Sequence, residues 1–329
     1  MPSEIEFRAA ARKVSNWGRW GSEDQLGTLN HITDEKVRES ARMVRKGVVF
    51  PLGVNFDSNG IWSGNSFRRN PIHLMTMDGG DSPNFLEHMT GWEGGKAVLA
   101  SRWGERLAKF NDDFIIMPLQ AATQWDALSH VYYDDLMYNG VPASAVTSAG
   151  ATKNSIDQVD VKGIVSRAVI LDVARYRGIE HVPERQVIEP EELDEVTRAQ
   201  GVNVGVGDIV LLRTGWWSQL ANLKDGNAWR AGSPGLSWRC AEWLHAKSVA
   251  AIAADNIAVE ASNYDGSDVV LPLHLLCLRD MGMMFGEIWD LDALAADCAE
   301  DGVYECQVVA PPLRITGAVG SPVNPIALK

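Results

Sequence analysis

Residues 120–140 read QAATQWDALSHVYYDDLMYNG, and Gln120, Gln124, Asp126 and His130 are the side chains there best suited to act together. An aspartate can hold a cation, an imidazole can carry a proton near neutral pH, and a carboxamide can bond either. All four positions are even, so an unbroken strand would set them on one face. Such a strand would also part Gln120 from His130 by about 33 Å, at ~3.3 Å per residue, too far for one site. A strand that turns into a helix after Trp125 removes the difficulty: Gln124 and Asp126 stay neighbours, and Asp126 and His130 become an i, i+4 pair on one helical face. His274, in LPLHLL, and Glu287, after the apolar MMFG run, are candidates to join them. His, Asp and Glu are the usual ligands of Zn and Mn. Spacing alone leaves two readings open, a metal site and a merely capped helix at Asp126.

The elements that must position these residues alternate. Buried strands are expected at 167–173 (RAVILDV), 207–215 (GDIVLLRTG), 249–255 (VAAIAAD) and 283–287 (MMFGE), and a strand at 304–315. Between them the pattern predicts helices over 189–201, stopped by Gly201, over 236–247, after Pro272, and in 289–298. Strands alternating with helices argue for an α/β domain. Upstream, 15–30 reads as an ordered loop, Thr33 caps a helix from Asp34 to Lys46 closed by Gly47, and 48–56 is an edge or bent strand because of Pro51. FIIMPL (114–119) reads as a short strand, and 57–110 as long loops around one helix near 95–109. The expected organisation is an arm, 1–56, packing on the main domain or on a neighbouring subunit, followed by one catalytic domain, 57–329.

Composition narrows the functions. Of 329 residues, 46% are hydrophobic and 22% charged, which is ordinary globular usage. A net charge of −13 argues against a general affinity for nucleic acid or an anionic membrane. No apolar run is long enough to span a bilayer, and MPSEIEFRAAARK carries no apolar leader, so a cytoplasmic location is expected. Cys240, Cys277, Cys298 and Cys306 form no CxxC pair and read as buried thiols. Twelve tryptophans serve either core packing or an aromatic wall around a flat ligand. Arg213 and Trp216 follow a buried strand, where pocket loops often lie. Arg213 suits a substrate carboxylate or a structural ion pair equally. His73 and Tyr138 are candidates for the pocket entrance, and Trp125, between Gln124 and Asp126, is counted as a pocket residue. His31, His88, His181 and His245 read as surface or core residues. The Trp17–Trp20 arm could reach a neighbouring subunit or pack on its own.

The stretch Gln120–His130 resembles the motif His-x-x-Thr-His-x-Asp-x-x-x-His of the cyclase family that includes bacterial kynurenine formamidase and isatin hydrolase. NWGRWGSEDQLGTLN (16–30), GIVSRAVILDVA (163–174), GVGDIVLLRTGWW (205–217), GLSWRCAEWL (235–244), AADNIAVE (253–260), LPLHLL (271–276) and APPLRITGAVGSPVNPIAL (310–328) resemble its other blocks in the same order. The resemblance implies a swivelling β/β/α fold, a mixed sheet with a barrel-like part flanked by helices, in a homodimer or homotetramer. It implies metal-dependent hydrolysis of an amide, often in or beside a ring, of a small-molecule substrate. Asp126 matches a metal-binding aspartate, His130 the catalytic histidine, and His274 and Glu287 further ligands. The departure lies at 120 and 124, where glutamine replaces histidine while Thr123 is kept. Carboxamide oxygens are weaker and harder ligands than imidazole. One divalent ion, Mn or Zn, is therefore expected on Asp126, His274 and Glu287, with Gln124 as a fourth ligand and Gln120 lining the pocket. Two alternatives stay open, a polyketide-type cyclase and a non-catalytic binding protein.

Overall fold

The computed structural model describes residues 1–62, 68–77, 111–263 and 265–329. Its centre is a nine-stranded mixed sheet that curls into a half-barrel flanked by helices. In spatial order the strands are β1 (Val49–Pro51), β15 (Ile326–Leu328), β13 (Glu305–Val309), β7 (Val165–Asp172), β9 (Ile209–Arg213), β11 (Ala251–Ala254), β12 (Met284–Glu287), β4 (Gln124–Asp126) and β14 (Gly320–Pro322). The middle four, β7, β9, β11 and β12, run parallel. Every strand added outside them is antiparallel to its neighbour. Three two-stranded ribbons complete the description: β2 (Ile72–Met77) with β3 (Asp112–Ile116), β5 (Val146–Thr147) with β6 (Gly150–Ala151), and β8 (Val187–Ile188) with β10 (Gly235–Leu236).

The parallel strands are apolar on both faces because both faces are covered, as such strands require. Val169, Leu171, Val210, Leu212, Ile252, Ala254 and Phe285 face a layer that includes helices Glu4–Val14, Pro190–Gln200 and Cys240–Ala246. Ala168, Ile170, Ile209, Leu211, Ala251, Ala253 and Met284 face the opposite core, with Trp125, Trp289 and Leu52. Gly286 permits that second core to close. A Cβ there would lie 2.6 Å from Ala253 Cβ and 3.0 Å from the Trp125 ring.

The expected strands at 167–173, 207–215, 249–255 and 283–287 are the four parallel ones. The edge strand at Pro51 is β1, and the helix at 189–201 ends on Gly201 in the left-handed conformation. Other expectations need correction. The short strand expected at 114–119 lies two residues earlier, as β3, and belongs to an exposed ribbon. The loop at 15–30 ends in a 3-10 turn, Gly27–His31. The helix after Thr33 stops at Ala41, well short of Lys46. An N-terminal helix, Glu4–Val14, was not foreseen; Ser3 and Glu6 form its capping box, and its apolar face, Phe7, Ala10, Ala11 and Val14, joins the core of its own chain. The expected helix near 95–109 and His88 lie outside the described residues. Trp17 donates to the Arg279 carbonyl, and Trp20 meets His31 edge-on, so both rings pack within the chain.

Candidate metal centre

The site begins with the register of β4 against β12. Gln124 pairs with Glu287, Trp125 with Gly286 and Asp126 with Phe285. Directly paired residues share a face of a sheet, so Gln124, Asp126 and Glu287 project together while Trp125 projects the other way. Trp125 is fully buried there against Trp289, its indole donating to the Ala310 carbonyl; it is a core residue, contrary to its reading as a pocket residue. Gln120 is brought to the site by a glycine. A Cβ on Gly320, the partner of Asp126 on β14, would sit 2.6 Å from Gln120 Nε2.

The helix expected after Trp125 does not form. The backbone leaves β4 in a turn: Ala127 N donates to Val319 O, Ser129 N to Asn154 O and His130 N to Ala127 O. These bonds tie the segment to its neighbours instead of closing a helical ladder. The turn still brings His130 Nε2 to 3.8 Å from Asp126 Oδ1. Thr123 anchors the start of β4, its hydroxyl donating to the Ile288 carbonyl at 2.5 Å and accepting from Val54 N.

His274 enters from the helix that starts at Pro272 and continues as a π-helical segment, Leu275–Met281. Its ring meets Phe285 edge-on, with centroids 4.9 Å apart. Nδ1 lies 2.5 Å from Glu260 Oε1 and Nε2 lies 3.1 Å from Glu287 Oε1. Gln124 Nε2 donates to Glu287 Oε2 at 2.7 Å and reaches Asp126 Oδ1 at 3.4 Å. Asp126, Glu260, His274 and Glu287 are each at most 3% exposed.

Burial governs the charges. It pushes Glu287 up to about 7, helped by the charge of Asp126 and opposed by His274. For His274 burial favours the neutral ring, but the bonds from Glu260 and Glu287 outweigh it and raise the imidazole to about 10. Burial holds His130 below the ordinary imidazole range, with Asp126 pulling the other way. The charge of Arg68, whose guanidinium lies 5.0 Å from the Trp62 ring centroid, bears on both His130 and Glu287.

Such a centre fits a divalent cation. Three carboxylates face one imidazole in a volume shielded from water, an arrangement that is costly without compensating positive charge. One ligand atom from each of Asp126, His274 and Glu287 lies within 4.8 Å of the others. Asp126 Oδ2 and Gln124 Oε1 are buried acceptors with no hydrogen-bond partner.

Of the remaining sequence candidates, Trp216 packs in one cluster with Ala121 and Ile288, the sequence neighbours of Gln120 and Glu287. Arg213 takes its structural alternative, paired with Asp172 at 2.9 Å and Asp292 at 2.7 Å. Trp216 is buried and exchanges indole-to-carbonyl bonds with Trp229. His73 is exposed on β2, 2.6 Å from Asp113. Tyr138 is buried, with its hydroxyl on Asp24. Two residues near the centre escaped the sequence reading. Glu260 had one available signal, a carboxylate closing the short apolar run IAV at 257–259. Arg68 lies in a stretch without periodicity and had none.

The "Putative cyclase" family model matches residues 53–261. A crystal structure described as that of a novel cyclase is 38% identical, with a TM-score of 0.83 over 96% of this chain and 100% of that one. The chain belongs to this cyclase family. An isatin hydrolase bound to the product analogue thioisatinate shares the fold at 17% identity, with a TM-score of 0.60 over 91% of this chain and 99% of that one. A predicted metal-dependent hydrolase from Bacillus stearothermophilus shares it at 14% identity, with a TM-score of 0.53 over 85% and 97%. No curated protein matches the chain. Among the described residues no helix is long and apolar enough to cross a membrane.

Proposed function

We propose that this chain is a metal-dependent hydrolase of a small amide, cyclic amide, carbamate or lactone. The observation that carries the reading is the convergence of Asp126, His274 and Glu287 on one buried point, with His130 at its edge. Those three residues would hold Mn or Zn, with the Gln124 carboxamide oxygen as a fourth donor. A divalent ion there supplies Lewis acidity toward a carbonyl and lowers the pKa of water.

The protein's own groups do the rest. His130, kept neutral by burial, accepts a proton at Nε2 from the attacking water and passes it to the leaving nitrogen or oxygen. The charge of Asp126, 3.8 Å from Nε2, stabilises the imidazolium that results. Arg68 contributes positive potential where the carbonyl oxygen gains negative charge. Gln120, against Gly320, lines the wall beside Asp126. The fold shared with an isatin hydrolase supports a ring amide among the substrates to screen.

Metal stoichiometry by elemental analysis, with Asp126→Ala and His274→Ala alongside, tests the reading. About one ion per chain, lost in both variants, is expected. Two ions would mean that Gln120 and Gln124 bind metal as a second set. None, even after exposure to Mn or Zn, would favour a non-catalytic binding protein, the reading that the two carboxamides support. We also propose a homo-oligomer, tested by light scattering, and a cytoplasmic location, supported by four buried free thiols.

A further inference from the structure

We propose that Glu260 is the positioning residue that fixes which ring nitrogen of His274 faces the metal centre. The inference rests on the proposed metal site and adds to it a residue that touches neither metal nor substrate.

The geometry is specific. Glu260 is 2% exposed and lies just beyond β11, bridged to Leu236 of β10. Three N–H groups converge on its carboxylate. Leu273 N donates to Oε2 at 3.2 Å, and His274 N and Nδ1 reach Oε1 at 3.0 and 2.5 Å. The two backbone bonds alone would anchor the first turn after Pro272. The third bond does something further, because it consumes Nδ1 as a donor and leaves Nε2 directed at Glu287.

An imidazole can rotate by half a turn and exchange nitrogen for carbon at similar positions. At His274 that rotation would set a C–H against Glu260 Oε1 and another against the metal centre. It would break a charge-assisted bond in a buried place, where such bonds are strong and unpaired carboxylate oxygens costly. The edge-on contact with Phe285 holds the ring plane but does not distinguish the two orientations. Glu260 does. A carboxylate bonded to the far nitrogen of a ligating histidine also makes the near nitrogen more basic, and loss of such a partner typically weakens metal binding by about 10- to 100-fold.

The position of Glu260 is itself built with strain. Val259, immediately before it, has φ +59°, a left-handed conformation rare for a β-branched residue. Ile288, immediately after Glu287, has φ +58°. Asn256 braces both turns, its side-chain oxygen accepting from Val259 N and its backbone oxygen from Ile288 N, each at 2.8 Å. One buried asparagine thus registers the two carboxylates that bracket His274.

The test measures Zn and Mn affinity by competition with a chromophoric chelator for wild type, Glu260→Ala, Glu260→Gln and His274→Ala, together with 15N shifts of the His274 ring in the Zn-loaded protein. A 10- to 100-fold loss in Glu260→Ala is expected. A smaller loss is expected in Glu260→Gln, which keeps an oxygen for Nδ1 and remains informative if the alanine variant fails to fold. The wild-type ring should show a protonated Nδ1 and a ligated Nε2. If His274→Ala abolishes binding while both Glu260 variants stay within twofold of wild type, this inference fails and the metal site stands. If wild type binds neither metal, both fail.

Discussion

Gln124 and Glu287 sit directly opposite each other on β4 and β12, and the Gln124 carboxamide donates to Glu287 across 2.7 Å. A side chain of the length and position of a metal ligand thus spends its N–H on the neighbouring carboxylate, while its oxygen stays buried without a partner. Rotation of the amide would present that oxygen to a cation instead.

This makes position 124 a direct probe of the donor set. Gln124→His replaces a weak neutral oxygen donor by imidazole and should raise zinc affinity about tenfold, with a smaller effect on Mn, because nitrogen donors favour zinc. A competition titration measures it. Unchanged affinity for both metals would place residue 124 outside the coordination sphere.

His130→Ala should lower kcat/KM by about 10²- to 10⁴-fold toward any amide or lactone found to be a substrate, the range for loss of a general base. Metal content should not change. Because burial depresses the His130 pKa, the neutral base persists into mildly acid solution. The acid limb of its pH–rate profile should therefore fall below about 6.5, the ordinary imidazole value. A limb at or above that value would assign the proton transfer to another group.

The sheet was legible because its strands are continuous apolar runs bounded by Gly and Asp, and parallel strands covered on both faces must look that way. The cluster Asp126, His274 and Glu287 was legible in residue type and resemblance. Its geometry was not, because it depends on the register between β4 and β12, strands about 160 residues apart in sequence. The error over the helix after Trp125 has the same origin. Local spacing favoured an i, i+4 helical pair, whereas Val319 and Asn154, distant in sequence, captured the backbone N–H groups and held a turn. Trp125 was misjudged because only the register shows which face of β4 meets the cation and which meets Trp289.

Asn256 should matter to stability and to metal binding at once. Its side chain satisfies Val259 N at 2.8 Å and donates to the Pro234 carbonyl at 2.6 Å, all out of contact with water. Asn256→Ala orphans Val259 N, leaves the Pro234 carbonyl only the longer bond from the Ser233 hydroxyl, and should cost roughly 2 kcal/mol, at about 1–3 kcal/mol for a buried unsatisfied group. Metal affinity should drop too, since the turn that carries Glu260 loses its brace. Denaturant unfolding and chelator competition on one preparation read both. Lost stability with intact affinity would show that the Glu260 turn is held without Asn256.

A last prediction concerns pH and lies away from the metal. Asp255, at the end of β11, is 1% exposed and accepts bonds from Thr214 N, Thr214 Oγ1 and Gly215 N. Burial nevertheless raises its pKa to about 6, against ~3.9 in an unfolded chain. Between these values the folded protein holds a proton that the unfolded chain releases. Its contribution to stability is therefore fully present below pH ~4 and is lost as pH rises toward 6, by about 3 kcal/mol in total. Asp255→Asn cannot titrate, and it turns an amide donor toward one of the N–H groups, so it should be the less stable protein throughout. The gap between wild type and variant, followed by urea unfolding from pH 4 to pH 7, should narrow by that amount. A constant gap would mean that Asp255 ionises in the folded protein as it does in the unfolded chain, its three N–H donors fully offsetting burial.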